Sequence, residues 1–364
     1  MSTATTGIQS GSATTQRIGY IDALRGFTMF MVVFMHVGTV CWGIVGKGIS
    51  LHDFLGQVRM PMFFFISGFV LYREGVVWDM RHIVSFFKKK VPVQLISPFI
   101  FFAVFLHISG IPLADGVMDK YKLGYWFTLV LLEFFVIYAV VRCCVRHWWY
   151  KVILVAIGLV LYGCCSPHMT AGHHTIDNLF LLLSVHQWRY FIFLVLGALT
   201  REHFGTVQAW LDGKWLLVVC ILFYFLVNAF GDVLPVDEKP LRFMLSLTGL
   251  VILFAFFRGK QSCFSSETRL GRVMQYTGRR TLDIYLIHYF LIPRNLSFIT
   301  VFTDHPMPII EAAASTLISI LIIAACLLIS NIIRLSPWLA HWLFGAKSAT
   351  SNSSTQVHSP KSDG

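Results

Sequence analysis

Two side chains suited to anion binding and acid–base chemistry share the first long apolar run. Residues 17–40, RIGYIDALRGFTMFMVVFMHVGTV, carry Arg25 and His36, eleven positions apart. At about 100° per residue this spacing is three turns plus roughly 20°, so a helix presents both on one face. The same helix separates them by about 16 Å along its axis. A guanidinium offers paired, parallel hydrogen bonds to a phosphate or carboxylate. An imidazole takes up a proton near neutral pH and so can activate a hydroxyl nucleophile. Asp22, three positions before Arg25, lies on that face and within pairing range of the guanidinium. The plain structural alternative is a helix-end salt bridge plus one packed histidine. Against it, an ionisable group at bilayer depth costs about 2.5 kcal/mol or more, so such groups face a protein interior or a pathway.

The elements that must position these groups are membrane helices. Of 364 residues 56% are hydrophobic and 13% charged, with 33 phenylalanines, against about a quarter charged in an ordinary soluble domain. Apolar segments recur at roughly 18–40, 54–72, 92–110, 124–141, 151–163, 187–200, 215–230, 241–257, 280–293 and 309–334. The pattern predicts an all-α, polytopic bundle of about ten transmembrane helices, the fifth, sixth and ninth short. If the chain alternates sides at each segment, twenty Lys and Arg fall on the side of the N-terminus and eight on the other, with Arg25 inside the first span. That bias predicts cytoplasmic termini. Residues 17–345 read as a single membrane domain. Residues 1–16 and 346–364, polar and rich in Ser and Thr, read as disordered cytoplasmic tails. The positive balance is therefore a topology signal, and no nucleic-acid partner is expected. Eight cysteines give no disulfide or metal-ligand pattern, because Cys143–Cys144 and Cys164–Cys165 are adjacent pairs and the rest are scattered.

Other polar residues stand out against the apolar background. Glu133 sits in the middle of the fourth segment, where a carboxylate is protonated or paired and faces a cavity in preference to lipid. His288, in TLDIYLIHYF, lies in the outer part of the ninth segment. His173–His174 is a weak zinc signal without a spaced third ligand, and no metal is expected. Lys88 to Lys90 and Arg279–Arg280 read first as orientation signals or lipid-headgroup contacts, and second as sites for an anionic cytoplasmic ligand. A cation near the cytoplasmic end with a base further out suits an extended donor whose charged head stays inside. On residues alone the reading is a membrane enzyme or transporter with a polar pathway along the first helix.

The segment YIDALRGFTMFMVVFMHV resembles the opening of the integral-membrane O-acyltransferases known as acyltransferase family three. Their hallmark is an Arg, ten intervening residues and a His in the first helix, here Arg25 and His36. The likeness continues in RMPMFFFISGFVLYR (59–73), GYWFTLVLLEFFVIY (124–138), WRYFIFLVLGAL (188–199) and TGRRTLDIYLIHYFL (277–291). The resemblance implies a bundle of about ten helices, a cytoplasmic acyl-coenzyme A donor, and a carbohydrate or lipid-linked hydroxyl acceptor. It implies donor binding by Arg25 and catalytic-base action by His36. Arg59 and Ser67 fall in a recurrent family segment without an assigned role. Some members carry a fused extracytoplasmic esterase-like domain. This chain shows none, so a separate acceptor-presenting domain is either unnecessary or supplied by a glycan-assembly partner.

The leading expectation is thus a multi-pass enzyme of a bacterial inner or plasma membrane. It would transfer an acyl group, acetyl before succinyl, from coenzyme A to a sugar hydroxyl of a surface glycan or its lipid-linked precursor. Glu133 is assigned a role in orienting or charge-balancing the donor. The rival class is a transporter of an anionic solute or lipid-linked sugar. Against it, no matched pair of Gly/Pro-broken helices marks corresponding halves of the chain. A purely structural scaffold leaves the one-faced ionisable residues without a reason.

Overall fold

In the computed structural model, residues 18–43, 51–145, 147–166, 169–230, 238–294 and 308–345 are described. The tails expected at 1–16 and 346–364 lie outside them. Among the described residues the chain is helical and has no strand. Helix α1 spans Gly19–Trp42 and closes at Gly43, whose φ of 65° is the left-handed geometry that ends many helices. α2 spans Leu51–Leu71 and α3 spans Met80–Val91. Asp79 starts α3 as its cap, its carboxylate accepting from the His82 amide at 2.7 Å. A five-residue π-helical turn, Pro92–Ile96, joins α3 directly to α4, Ser97–Ser109. After the short α5 (Leu113–Met118) and a 3₁₀ turn (Lys122–Gly124) come α6 (Trp126–Cys144), α7 (Trp149–Cys164) and α8 (His174–Leu182). A second 3₁₀ turn (Val185–Tyr190) leads into α9 (Phe191–Glu202), then α10 (Phe204–Asp212), α11 (Lys214–Phe230) and α12 (Glu238–Gly259). α13 (Arg269–Arg279), α14 (Thr281–Leu291), α15 (Pro308–Ile333) and α16 (Pro337–Phe344) complete the set.

Among the described residues six helical stretches are long and apolar enough to cross a bilayer, and eight crossings result if each of two bent pairs counts as one. One such pair is α8 with Val185–Glu202, bent by 53°. The hydropathy reading counted ten. Its fifth and ninth segments became α7 and α14, helices of 16 and 11 residues, where a straight crossing takes about 20. A second difference lies at Lys88 to Lys90, which fall between the second and third apolar segments. They close α3, which runs unbroken through the π turn into α4 as one helical stretch from Met80 to Ser109.

The helices that carry the candidate site are held by glycine contacts, which let two backbones approach without side chains between them. A Cβ on Gly26 of α1 would lie 2.3 Å from the Met274 carbonyl oxygen of α13. A Cβ on Gly278 would lie 1.8 Å from the Asp22 carbonyl oxygen. The same reciprocity joins α2 to α9: Gly68 meets the Leu194 carbonyl, and Gly197 meets that of Phe65. Between these locked pairs an aromatic core fills the bundle, with Phe64 ringed by Phe127 at 5.0 Å, Phe134 at 5.0 Å and Tyr190 at 5.5 Å. Outside, exposed apolar side chains such as Leu222, Phe225 and Leu226 on α11 and Leu317, Ile320 and Leu321 on α15 suit a hydrocarbon surround.

Candidate active site

Arg25 and His36 line one cavity, as their helical spacing predicts. It encloses about 230 Å³ between α1, α2, the π turn, α6 and α14. α2 adds Arg59 and Ser67 to the same wall, so four of the residues singled out from the sequence meet here. The Arg59 Nε is buried without a hydrogen bond, and among the described residues Arg59 forms no ion pair. Ser67 donates its hydroxyl to the Phe63 carbonyl at 2.8 Å, the ordinary one-turn back-bond of a helical serine.

α14 brings the residues that address His36. Tyr285 and Tyr289, one turn apart, both line the cavity, and the Tyr289 hydroxyl lies 2.8 Å from the His36 Nε2. A phenol both donates and accepts, so the pair is joined in either imidazole tautomer. With its proton on Nε2, His36 donates to the tyrosine oxygen and keeps Nδ1 as its basic atom. A strained turn fixes α14 in place. Lys122, Leu123 and Gly124 are consecutive residues at φ 47°, 48° and 103°. The Asp119 carboxylate holds the turn by accepting from the amides of Tyr121 and Leu123, each at 2.9 Å. The Gly124 carbonyl accepts from the Tyr285 hydroxyl at 3.0 Å, and Tyr125 donates to the Leu286 carbonyl at 2.9 Å. The buried Lys122 amine donates to the carbonyls of Asp119 and Leu181. Burial pushes that amine down to about 8, against the opposing pull of the Asp119 and Glu133 carboxylates.

At the Arg25 end a second cavity of about 340 Å³ adjoins the first and shares Arg25, Ser67, Lys90 and Gln94 with it. Arg73, His82, Ser85 and Lys89 add to its polar wall, and among the described residues no Asp or Glu lines it. At the opposite end of α1 a third cleft of about 350 Å³ is lined by Met35, His52, Gln57, Tyr162, Arg189 and Arg242, together with Tyr190. A stack of Phe64, Tyr190 and Trp126, with neighbouring rings 5.5 and 6.0 Å apart, stands between that cleft and the His36 cavity. A cationic chamber and a base held by a phenol therefore follow one another along α1, and a separate polar cleft reaches the helix at Met35, beside His36.

The family profile described as an acyltransferase domain, that of acyltransferase family 3, matches residues 18–331. The chain belongs to acyltransferase family 3. No curated protein and no solved structure gives a match. Membership of this family of membrane-bound acyltransferases sets the transporter reading aside.

The remaining candidates of this family 3 acyltransferase stand outside the cavity. Asp22 does not line it, and among the described residues no ion pair joins Asp22 to Arg25 as the i−3 spacing had suggested. Glu133 faces the neighbouring 3₁₀ turn: one oxygen accepts from the Trp188 indole at 2.8 Å, and the other is buried without a partner. His288 is fully buried behind the site, its ring 5.4 Å from that of His36 and 4.1 Å from that of Tyr289. Its Nδ1 donates to the carbonyls of Ile284 and Tyr285, at 3.0 and 2.8 Å. The sequence reading missed Tyr285, Tyr289, Gln94 and Gly124 as cavity residues, and gave Lys90 only a second reading as part of an anion site. A Tyr pair at i, i+4 beside His288, and a glutamine in the apolar run VPVQLISPF, were the available signals.

Proposed function

We propose that this enzyme transfers an acyl group, acetyl in the first instance, from cytoplasmic acyl-coenzyme A to a hydroxyl of a surface glycan or its lipid-linked precursor. The observation that carries the reading is the continuity of the His36 cavity, through Arg25, Lys90 and Gln94, with a basic chamber whose described wall holds no carboxylate. Phosphates of a donor suit Arg25, Arg73, Lys89 and Lys90, since guanidinium and ammonium groups make the strong charge-assisted bonds that phosphate accepts. The thioester then reaches toward His36. The acceptor hydroxyl meets the thioester in the same cavity, beside His36.

In the reaction His36 takes the hydroxyl proton as the acceptor oxygen attacks the thioester carbonyl. The new C–O bond forms, the carbonyl oxygen becomes an oxyanion facing the Arg59 guanidinium, and the C–S bond breaks as the carbonyl reforms. The proton held by His36 passes to the leaving thiolate, which restores the base. Tyr289 keeps the ring in one orientation throughout.

The test pairs two variants with two measurements in proteoliposomes: binding of a non-hydrolysable acetyl-coenzyme A analogue, and transfer of labelled acetyl groups. Arg25→Lys keeps the charge but loses the fork, so it should weaken analogue binding with insertion intact. His36→Ala should bind the analogue normally and lose transfer by roughly 10²–10⁴-fold, the usual weight of general-base catalysis. Lost binding in His36→Ala with normal binding in Arg25→Lys reverses the assignment. Full activity in both variants ends it.

A further inference from the structure

Gln94 is a buried carboxamide whose acceptor oxygen has no partner, and it stands where three cavities meet. It lines the basic chamber, the His36 cavity and a third, largely apolar cavity of about 260 Å³ bounded by Phe102, Tyr125 and Leu182. The residue is 8% exposed, and its Oε1 is shut away from solvent without a hydrogen bond among the described residues. A buried polar group of this kind is costly to leave unpaired, and its persistence points to a ligand that satisfies it. Its backbone points the same way. Gln94 is the middle residue of the π turn Pro92–Ile96, and π turns inside helices are enriched at functional sites because the extra residue re-aims the side chains around it.

The position selects the ligand. A donor with phosphates among Arg25, Arg73 and Lys90 and its reactive carbonyl near His36 must pass Gln94 between the two, at the point where the cavities join. A carboxamide is the natural complement of a secondary amide, since each donates one N–H and accepts at one carbonyl. Whichever way round the amide is set, a secondary amide can pair with it. We propose that Gln94 binds an amide of the linker between the donor's phosphates and its thioester, the pantetheine arm of acyl-coenzyme A. The inference rests on the coenzyme A reading above.

Three donors of decreasing length separate the contacts. Acetyl-coenzyme A carries phosphates and amides, acetyl-pantetheine carries the amides alone, and S-ethyl thioacetate carries neither. Gln94→Met, close in length but without hydrogen-bonding groups, should raise KM roughly 10-fold for the first two, the weight of about one hydrogen bond. It should leave kcat and the use of S-ethyl thioacetate unchanged. Arg25→Lys should weaken acetyl-coenzyme A alone. Equal losses on all three donors, or none, overturn the assignment. If Gln94→Met does not insert, Gln94→Leu, which likewise removes both hydrogen-bonding groups without adding a charge, is expected to give the same pattern and is read by the same criterion. Wild-type protein that binds no acetyl-coenzyme A analogue overturns the donor reading and this inference together. Wild-type binding matched by equally tight Gln94→Met binding overturns the Gln94 assignment only.

Discussion

At the scale of single residues, the orientation of His36 rests on one phenol. The Tyr289 hydroxyl is 2.8 Å from its Nε2, so Tyr289→Phe removes the hydrogen bond and leaves the tilted ring contact with Tyr125 in place. A positioning contact of this kind is worth about one hydrogen bond. The variant should therefore lose roughly 10-fold in kcat with little change in donor KM, and acetyl-transfer kinetics read the split. A change confined to KM would mean that Tyr289 serves the donor. Lys122 gives a prediction of opposite character, about folding. Its amine sits at about 8 in the folded protein, below the ordinary lysine value of about 10.4. Below pH 8 it is charged in both the folded and the unfolded chain, and the folded form bears the burial penalty. Between the two values the unfolded chain holds more protons, so stability rises with pH across that window. Thermal midpoints in detergent should thus shift in favour of the wild type over Lys122→Met as pH rises from 8 to 10. A gap that stays constant across this range would show that the amine does not titrate there. Helical spacing made Arg25 and His36 legible as wall partners, because 3.6-residue periodicity acts within one element. Tyr289 and Gln94 were not legible in this way. Their importance comes from what packs against them, and no spacing within α14 or the π turn reports that. Glu133 shows the same limit: an isolated carboxylate in an apolar run needs a partner, and the sequence does not say that the Trp188 indole supplies it, outside the His36 cavity.

At the scale of elements, the first helix owes its position to backbone contact with α13, and the site owes its shape to the turn before α6. The hydropathy pattern shows apolar runs, but it does not distinguish a short helix such as α14, with its 11 residues, from a full crossing when both are rich in Phe and Leu. Nor does it reveal that α3 continues into α4, because the π turn is a matter of backbone winding and not of composition. The 119–125 turn is the element whose alteration should separate geometry from chemistry. A Cβ on Gly124 would fall 1.8 Å from the Tyr289 hydroxyl oxygen. The Gly124 φ of 103° is also one that side-chain-bearing residues rarely adopt. Gly124→Ala should displace Tyr289 and lower transfer at least as much as Tyr289→Phe does. It adds a packing and backbone penalty of about 1–3 kcal/mol, which detergent melting can register. In the double variant Gly124→Ala/Tyr289→Phe the activity losses should fall short of additive, since both act through one contact. Fully additive losses would show that the turn influences catalysis by another route.

At the scale of the whole molecule, the arrangement has two ends with different chemistry. The basic chamber at the Arg25 end suits an anionic donor, and the Arg189 cleft at the other end lies beyond an aromatic wall. The reading assigns the first to the cytoplasm, following the excess of Lys and Arg on that side. Two exposed cysteines mark the ends. Cys164 closes α7, two residues after Tyr162, which lines the outer cleft. Cys263 lies beside Phe264, whose carbonyl accepts from the Gln275 side chain at 2.7 Å, and that side chain in turn abuts Gly19 at the start of α1. Single-cysteine variants retaining one or the other should therefore label differently with a membrane-impermeant thiol reagent. Cys164 is expected to react in intact spheroplasts, and Cys263 only after permeabilisation. Cys165, its neighbour, is buried and makes a poor reporter. The reverse pattern would invert the protein in the membrane, put the basic chamber outside the cell, and remove acyl-coenzyme A as the donor, because that thioester is made and held in the cytoplasm. Labelling of both cysteines from outside would put Cys164 and Cys263 on one side, and would require a different number of crossings between α7 and α13.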